Sequence, residues 1–139
     1  GRRNECPKGM RLTAWNGGMS VVNPDERIDP RNQRAPRNKD HYANLKAQAW
    51  FSLRARFENA YKKKMGREYD ATHIISLPVD LPYLEQLQDE LCQPHKKESG
   101  TGKVLVDKQP DGAQSPNLAD AVVMAFFPLS AKASILDVL

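Results

Sequence analysis

The chain has 139 residues, 40% of them apolar and 27% charged, the proportions of a single globular domain with a modest core. It holds no run of 18 apolar residues that would make a membrane-spanning helix, and its basic start, GRRNECPKGM, has no apolar segment behind it to make a signal peptide. The net charge of +4 is uneven, with +8 over residues 1–70 and −4 over residues 71–139, which suits a protein that holds a polyanion on one side and a cation on the other, or one with a plainly solvated basic face.

Residues 10–15, MRLTAW, alternate as a strand does and end at the turn signal Asn16-Gly17-Gly18. Residues 23–40, NPDERIDPRNQRAPRNKD, hold three prolines and many charges and read as a long loop, mobile without a ligand. Its cations Arg27, Arg31, Arg34, Arg37 and Lys39 are candidates for contact with DNA phosphates. The strongest helix signal covers residues 40–64. Leu45, Ala49, Leu53, Phe57 and Tyr61 recur every fourth residue, Asp40 is placed to cap the start, and Lys62, Lys63 and Lys64 suit the C-terminal dipole.

Residues 73–77, HIISL, are a β-branched apolar run closed by Pro78 and read as a buried strand. Asp80 is placed to cap a helix over 81–92 with Leu84, Leu87 and Leu91 on one face. QPHKKESGTG reads as a polar connection, KVLVD (103–107) as a second buried strand, and QPDGAQSP as a loop. Ser115 or Asn117 is placed to cap a last helix from Leu118 to Phe127, stopped by Pro128. The tail 129–139 is weakly apolar. The alternation predicts an α/β layer in which the strands at 10–15, 73–77 and 103–107 share one sheet with helix 40–64 packed on it.

Few residues offer chemistry. There is no GxxxxGK loop, no GxSxG elbow and no HExxH. Cys6 and Cys92 are far apart, outside any CxxC pattern, and point to a reducing compartment. His41, His73 and His95 are scattered and read as structural or exposed. Asp120 is the exception, a carboxylate in the first turn of an otherwise apolar helix. The dipole of that helix alone accounts for an acid there. A hard divalent cation would use it as well, with the amide of Asn117 three residues earlier on the same face as a weak second ligand.

Four segments, in order, resemble the C-terminal nuclease domain of bacteriophage large terminase subunits: TAWNGG, NKDHYANLKAQAWFSLRARFENA, IISLPVDLPYLEQLQDEL and GKVLVDKQPDGAQSPNLADAVVMAF. The last ends like the family's SPD-x-ADA motif, which places Asp120 at its second acid and Asn117 where the family has Asp; on this resemblance the Asp120 carboxylate is expected to be a metal ligand exposed at the edge of the sheet rather than buried in a salt bridge. The resemblance covers about residues 12–127. It implies an RNase H-like, integrase-type mixed sheet flanked by helices. It also implies a cluster of acids binding Mg²⁺ or Mn²⁺ in the complete domain, and cleavage of concatemeric double-stranded DNA during genome packaging.

The implied partners are DNA, the ATPase part and upstream nuclease strands of the large subunit, the portal and the small terminase subunit. The implied location is the host cytoplasm, with no membrane. The family's other metal-binding acids lie upstream of the TAWNGG region, where Glu5 is the only acid and has no strand around it. Residues 1–139 are therefore expected to be the C-terminal portion of a nuclease domain, inactive alone. The alternatives are a non-catalytic module binding DNA or the packaging motor, in which Asp120 merely caps its helix, and an inert remnant.

Overall fold

The computed structural model describes Gly9 and residues 13–129. Four helices and a hairpin follow one another: α1 (Asn38–His41), α2 (Leu45–Lys64), α3 (Leu84–Cys92), β1 (His95–Glu98), β2 (Val104–Asp107) and α4 (Asn117–Phe126), with a 3₁₀ turn at Pro110–Gly112 before α4. Among the described residues this is a mixed α/β arrangement with a two-stranded antiparallel sheet.

Helix α2 is the centre of the packing. Leu45, Ala49 and Leu53 are buried as the i+4 stripe predicts, and Ala47 and Trp50 widen the face. Ala47, Ala49, Trp50 and Leu53 share one core with Ile75, Leu87 of α3, Val106 of β2, and Ala119 and Val123 of α4. The stripe outruns that core: Phe57 is half-buried and Tyr61 is 56% exposed.

The N-terminus of α2 is buried, so its first amides need acceptors. Leu45 N–H donates to the Met19 carbonyl (2.8 Å) and Lys46 N–H to the Gly17 carbonyl (2.9 Å). Ala47 N–H donates to Asn44 Oδ1 (3.0 Å). The TAWNGG turn therefore seats the helix. Gly17 is needed for the approach, because a Cβ there would stand 3.0 Å from Lys46 Cβ. Asp40 is not the cap that the sequence predicts. It falls inside α1, and the chain turns again before Asn44 starts the long helix.

Residues 73–77 form no strand: His73 lies in a bend and 74–77 have no regular structure. Side chains of α2 take up the backbone groups that a neighbouring strand would pair: Asn59 Nδ2 donates to the His73 carbonyl (2.8 Å) and an Arg56 guanidinium N–H to that of Ile74 (3.0 Å). The single-sheet expectation fails for this segment, although Ile75 reaches the core. Of the segment 10–15, residues 10–12 lie outside the described residues and 13–15 have no regular structure. The tail lies outside them beyond Leu129.

The strand at 103–107 is present as β2, its partner being β1, a segment the sequence presents as a polar connection. All four residues of β1 are exposed, so no apolar alternation marks it. Lys97 reaches diagonally across to Asp107 (2.6 Å), and its ammonium holds the Asp107 carboxyl below the usual carboxylate range. Helix α3 begins at Leu84 after Tyr83, whose φ of 62° is left-handed; Asp80 does not cap it. β2 also accepts a hydrogen bond at the Val104 carbonyl from Ala43 N–H (2.9 Å), which joins the hairpin to the start of α2.

Removing the Asn44 cap should weaken the whole unit. Asn44→Ala is expected to cost about 1 kcal/mol of unfolding free energy, and Asn44→Asp to cost little. Urea titration followed by far-UV circular dichroism measures both; equal loss in the two variants would show that the carboxamide oxygen is not what caps α2.

Candidate functional site

The last strand and the last helix bring together two charges that lie 12 positions apart in sequence. Lys108 follows the end of β2, and Asp120 stands in the first turn of α4. Lys108 Nζ donates to Asp120 Oδ2 at 2.7 Å, with the side chains only 24% and 18% exposed. This corrects the expectation of an exposed carboxylate at the sheet edge. A carboxylate so far out of water needs a partner, and the strand end supplies one.

Two side chains of α3 and its C-terminus hold the connection between these residues. Gln93 Nε2 donates to the carbonyls of Lys108 and of Gln114, the latter at 2.7 Å. It pulls both ends of the segment that carries the 3₁₀ turn toward α3. Glu90 Oε2 accepts the Ala119 N–H at 2.9 Å, while its Oε1 accepts from Gln86 Nε2 at 3.2 Å. The start of α4 is thus satisfied by a carboxylate from another helix, a favourable charge at the positive end of its dipole. Neither Ser115 nor Asn117 caps α4 by a side-chain hydrogen bond; Pro116 holds the cap position. Asn117 is exposed in the first turn, on the same side as Asp120 by helical spacing.

Lys108, Glu90 and Gln93 were not singled out by sequence reasoning. Lys108 had one signal, a lysine at the end of an apolar strand inside the segment GKVLVDKQPD. Glu90 and Gln93 had none, since polar residues on an exposed helix face look alike until the fold pairs them.

The described residues do not make a metal centre by themselves. Nowhere among them do three His, Cys, Asp or Glu side chains converge. Asp120 is one carboxylate, already bound to an ammonium, whereas a Mg²⁺ or Mn²⁺ site needs several charged oxygens.

The basic loop is folded on itself. Residues 26–28 and 36–38 run antiparallel, with Ile28 N–H on the Pro36 carbonyl (3.0 Å) and Asn38 N–H on that of Glu26 (2.8 Å). Arg27 is structural: its guanidinium donates to the Ala35 carbonyl at 2.6 Å and closes the loop over the buried Ala35. Asp25 binds Lys39 (2.6 Å) and Arg37 (3.5 Å), and Lys39 above all lowers the Asp25 carboxyl below its ordinary range. Arg31 and Arg34 stand exposed at the tip, in turns where Asp29 and Asn32 accept their backbone N–H groups, both at 3.0 Å. Among the described residues no hydrogen bond or ion pair joins these five cations to Asp120.

No helix among the described residues is long and apolar enough to cross a membrane. No family model matches the chain, and no curated protein matches it in sequence. Among its structural neighbours are forms of the nuclease domain of the large terminase subunit gp2 of bacterial virus Sf6. The domain itself superposes with a TM-score of 0.70 at 28% identity, covering 84% of this chain and 53% of that one. A lysine-to-alanine mutant of it with manganese and β-thujaplicinol gives 0.71 at 28% identity, covering 85% and 54%. The same mutant with calcium gives 0.69 at 28% identity, covering 82% and 52%. The chain spans about half the length of these solved domains. The resemblance carried by the four sequence segments thus has a counterpart in three dimensions.

The Lys108–Asp120 pair should be energetically coupled. A double-mutant cycle with Lys108→Met and Asp120→Asn is expected to give a coupling of about 1–3 kcal/mol, the range of a charge-assisted bond with little solvent around it. Gln93→Ala should reduce that coupling by half or more, because it releases both ends of the connection. Denaturant titration of the variants measures the terms, and a coupling unchanged by Gln93→Ala would remove Gln93 from the site.

Proposed function

We propose that the chain is the C-terminal portion of a phage large-terminase nuclease domain with an RNase H-like fold, and that it contributes the Lys108–Asp120 pair to a site that cuts double-stranded DNA during genome packaging. The observation that carries this reading is the match to the Sf6 nuclease domain at 28% identity over 84% of the chain. All four motif segments behind the resemblance take part in the local structure of the site or of α2, NKDHYANLKAQAWFSLRARFENA by forming most of α2 itself. TAWNGG seats α2, the IISLP…DEL segment supplies Glu90, and GKVLVDKQPDGAQSPNLADA supplies both charged partners.

In this reading Asp120 is the one site carboxylate that the described residues provide. Neighbour structures hold manganese or calcium, and a divalent metal in the complete domain would supply Lewis acidity to a phosphodiester. Its remaining ligands would come from outside the described residues, and Asn117 is a weak neutral candidate beside Asp120. Lys108 holds the Asp120 carboxylate in place at 2.7 Å, and its ammonium is close enough to the acid to meet a phosphate brought there. Glu90 and Gln93 fix the pair from behind. Arg34, at the loop tip, is the cation best placed to take backbone phosphates, with Arg31 beside Asp29 (3.6 Å) and Arg37 and Lys39 partly engaged by Asp25. The rest of the large subunit is the expected partner, and portal and small subunit follow from the packaging role, in the host cytoplasm.

The alternative is a module that binds DNA or the packaging motor without cutting. The Lys108–Asp120 bond favours it to one extent: an acid tied to a lysine is also what a purely structural helix start looks like.

Plasmid nicking with Mn²⁺ separates the two. Joined to the upstream half of the domain, the wild-type chain should nick, and Asp120→Asn should lower the rate at least about 100-fold, as removal of a group acting on the transition state does. The fold and DNA affinity should stay nearly intact. Equal nicking by both would leave Asp120 as a helix-start charge. For binding, Arg31→Ala, Arg34→Ala and Arg37→Ala together should flatten the salt dependence of duplex affinity by about 2–3 in log–log slope, close to 0.9 per phosphate contact. An unchanged slope would return the loop to a solvated surface.

A further inference from the structure

The apolar stripe of α2 continues past the core into an open trough. Trp50, Phe57 and Leu91 wall a recess of about 390 Å³ whose floor includes Leu53 and Val106. A second recess of about 360 Å³ adjoins it along the helix, with Tyr61, Lys62 and Arg67 on its sides. Arg54 and Phe57 line both, so the two recesses are neighbours on the same side of α2. Positions 50, 54, 57 and 61 lie on one face by helical spacing.

Among the described residues the rim is mostly cationic: Arg54 and Lys96 edge the first recess, with no acid in its described lining, and Lys62 and Arg67 edge the second. Glu58 is an acid in the described lining of the second recess, and it is bonded to Arg54 at 3.0 Å.

We propose that this trough docks an acidic peptide segment with large aliphatic or aromatic anchors. Apolar anchors fit the floor, and carboxylates meet the rim cations, the pairing by which charged rims select and orient partners. Nucleic acid fits less well. A duplex presents phosphates on a convex surface, and driving them against Leu53, Leu91 and Val106 strips their water without supplying donors. The surface is separate from the Lys108–Asp120 pair, and it holds whether or not the chain takes part in cutting DNA.

The test uses the chain as it stands and a fluorescein-labelled 14-residue probe peptide, with Leu and Phe at i, i+4 and i+7 and Asp or Glu between them. Anisotropy should show saturable binding that weakens at least threefold between 50 and 300 mM salt. The same peptide with its acids replaced by Lys should bind at least tenfold more weakly. Lys96→Glu combined with Arg67→Glu should cut affinity for the acidic probe at least tenfold, and Tyr61→Ser should cut it severalfold. All three positions are on the exposed rim, and melting curves check that the variants stay folded. The proposal is overturned if acidic and basic probes bind alike, if neither binds, or if the charge-reversal variant binds as wild type. It is also overturned if a single-stranded dT oligonucleotide displaces the probe at lower concentration than the unlabelled peptide does. Concentration-dependent dimerisation that the same variants abolish would assign the trough to a second copy of the chain and overturn it too.

Discussion

A helix whose first turn is buried must find acceptors for amides that water cannot reach, and that requirement at the start of α2 organises much of this chain. The Met19 and Gly17 carbonyls and the Asn44 side chain meet it. Once the turn at 16–19 is pinned there, the Gln48 side chain accepts the Val22 N–H (2.7 Å) and donates to the Val22 carbonyl (2.9 Å). That fixes where the basic loop departs. The Ala43 amide on Val104 then ties β2 to the same place. Loop, hairpin and helix are therefore located by a few hydrogen bonds within about two turns of one helix end. The apolar contacts of Leu45, Ala49 and Leu53 hold the assembly but do not choose its orientation, since apolar burial is not directional.

The same logic recurs at α4. In its first turn the Asn117 N–H finds the adjacent Ser115 carbonyl (2.9 Å), but the side chain that caps it is Glu90, a carboxylate delivered by α3 to the Ala119 N–H. Gln93 fastens the connection that leads into it. A local cap would leave the helix free to pivot about its own N-terminus. A cap from a second element makes the position of Asp120 depend on tertiary packing, which is the condition for holding a functional carboxylate to within a fraction of an ångström.

What the sequence made legible were features written in local periodicity. The i+4 stripe of α2, the apolar run of β2 and the first turn of α4 all sit where the pattern puts them. The misreadings share a cause as well. HIISL has the composition of a buried strand, and Ile75 is buried, but strand pairing is a property of a neighbour, and among the described residues Asn59 and Arg56 take the neighbour's place. β1 is the converse: four exposed residues, three of them charged in KKE, become a strand because β2 offers an edge to pair with. Caps were misassigned at three helices because Asp, Ser and Asn are common near any helix start, and only the fold decides which oxygen reaches the amides. At the site, Asp120 was visible because it is a charge in an apolar context. Lys108, Glu90 and Gln93 acquire meaning only through partners 12 to 29 residues away.

The pairing of Asp120 with Lys108 bears on how a single acid could serve a metal site. A lone carboxylate withdrawn from water is costly, and a lysine 2.7 Å away offsets that cost by pairing with it. The same lysine repels a dication approaching that oxygen. Two opposite charges sum to nothing, so this corner of the site has little attraction for Mg²⁺ until further carboxylates stand nearby. On the proposed reading, then, affinity for metal is a property of the joined halves of the domain and not of this one. The Asp120 side is held ready but electrically neutral, and metal capture waits on the acids of the other half. Such an arrangement separates folding of this portion from loading of the site. On that reading it accounts for a carboxylate that is at once partnered by Lys108 and placed where the family resemblance puts a metal ligand.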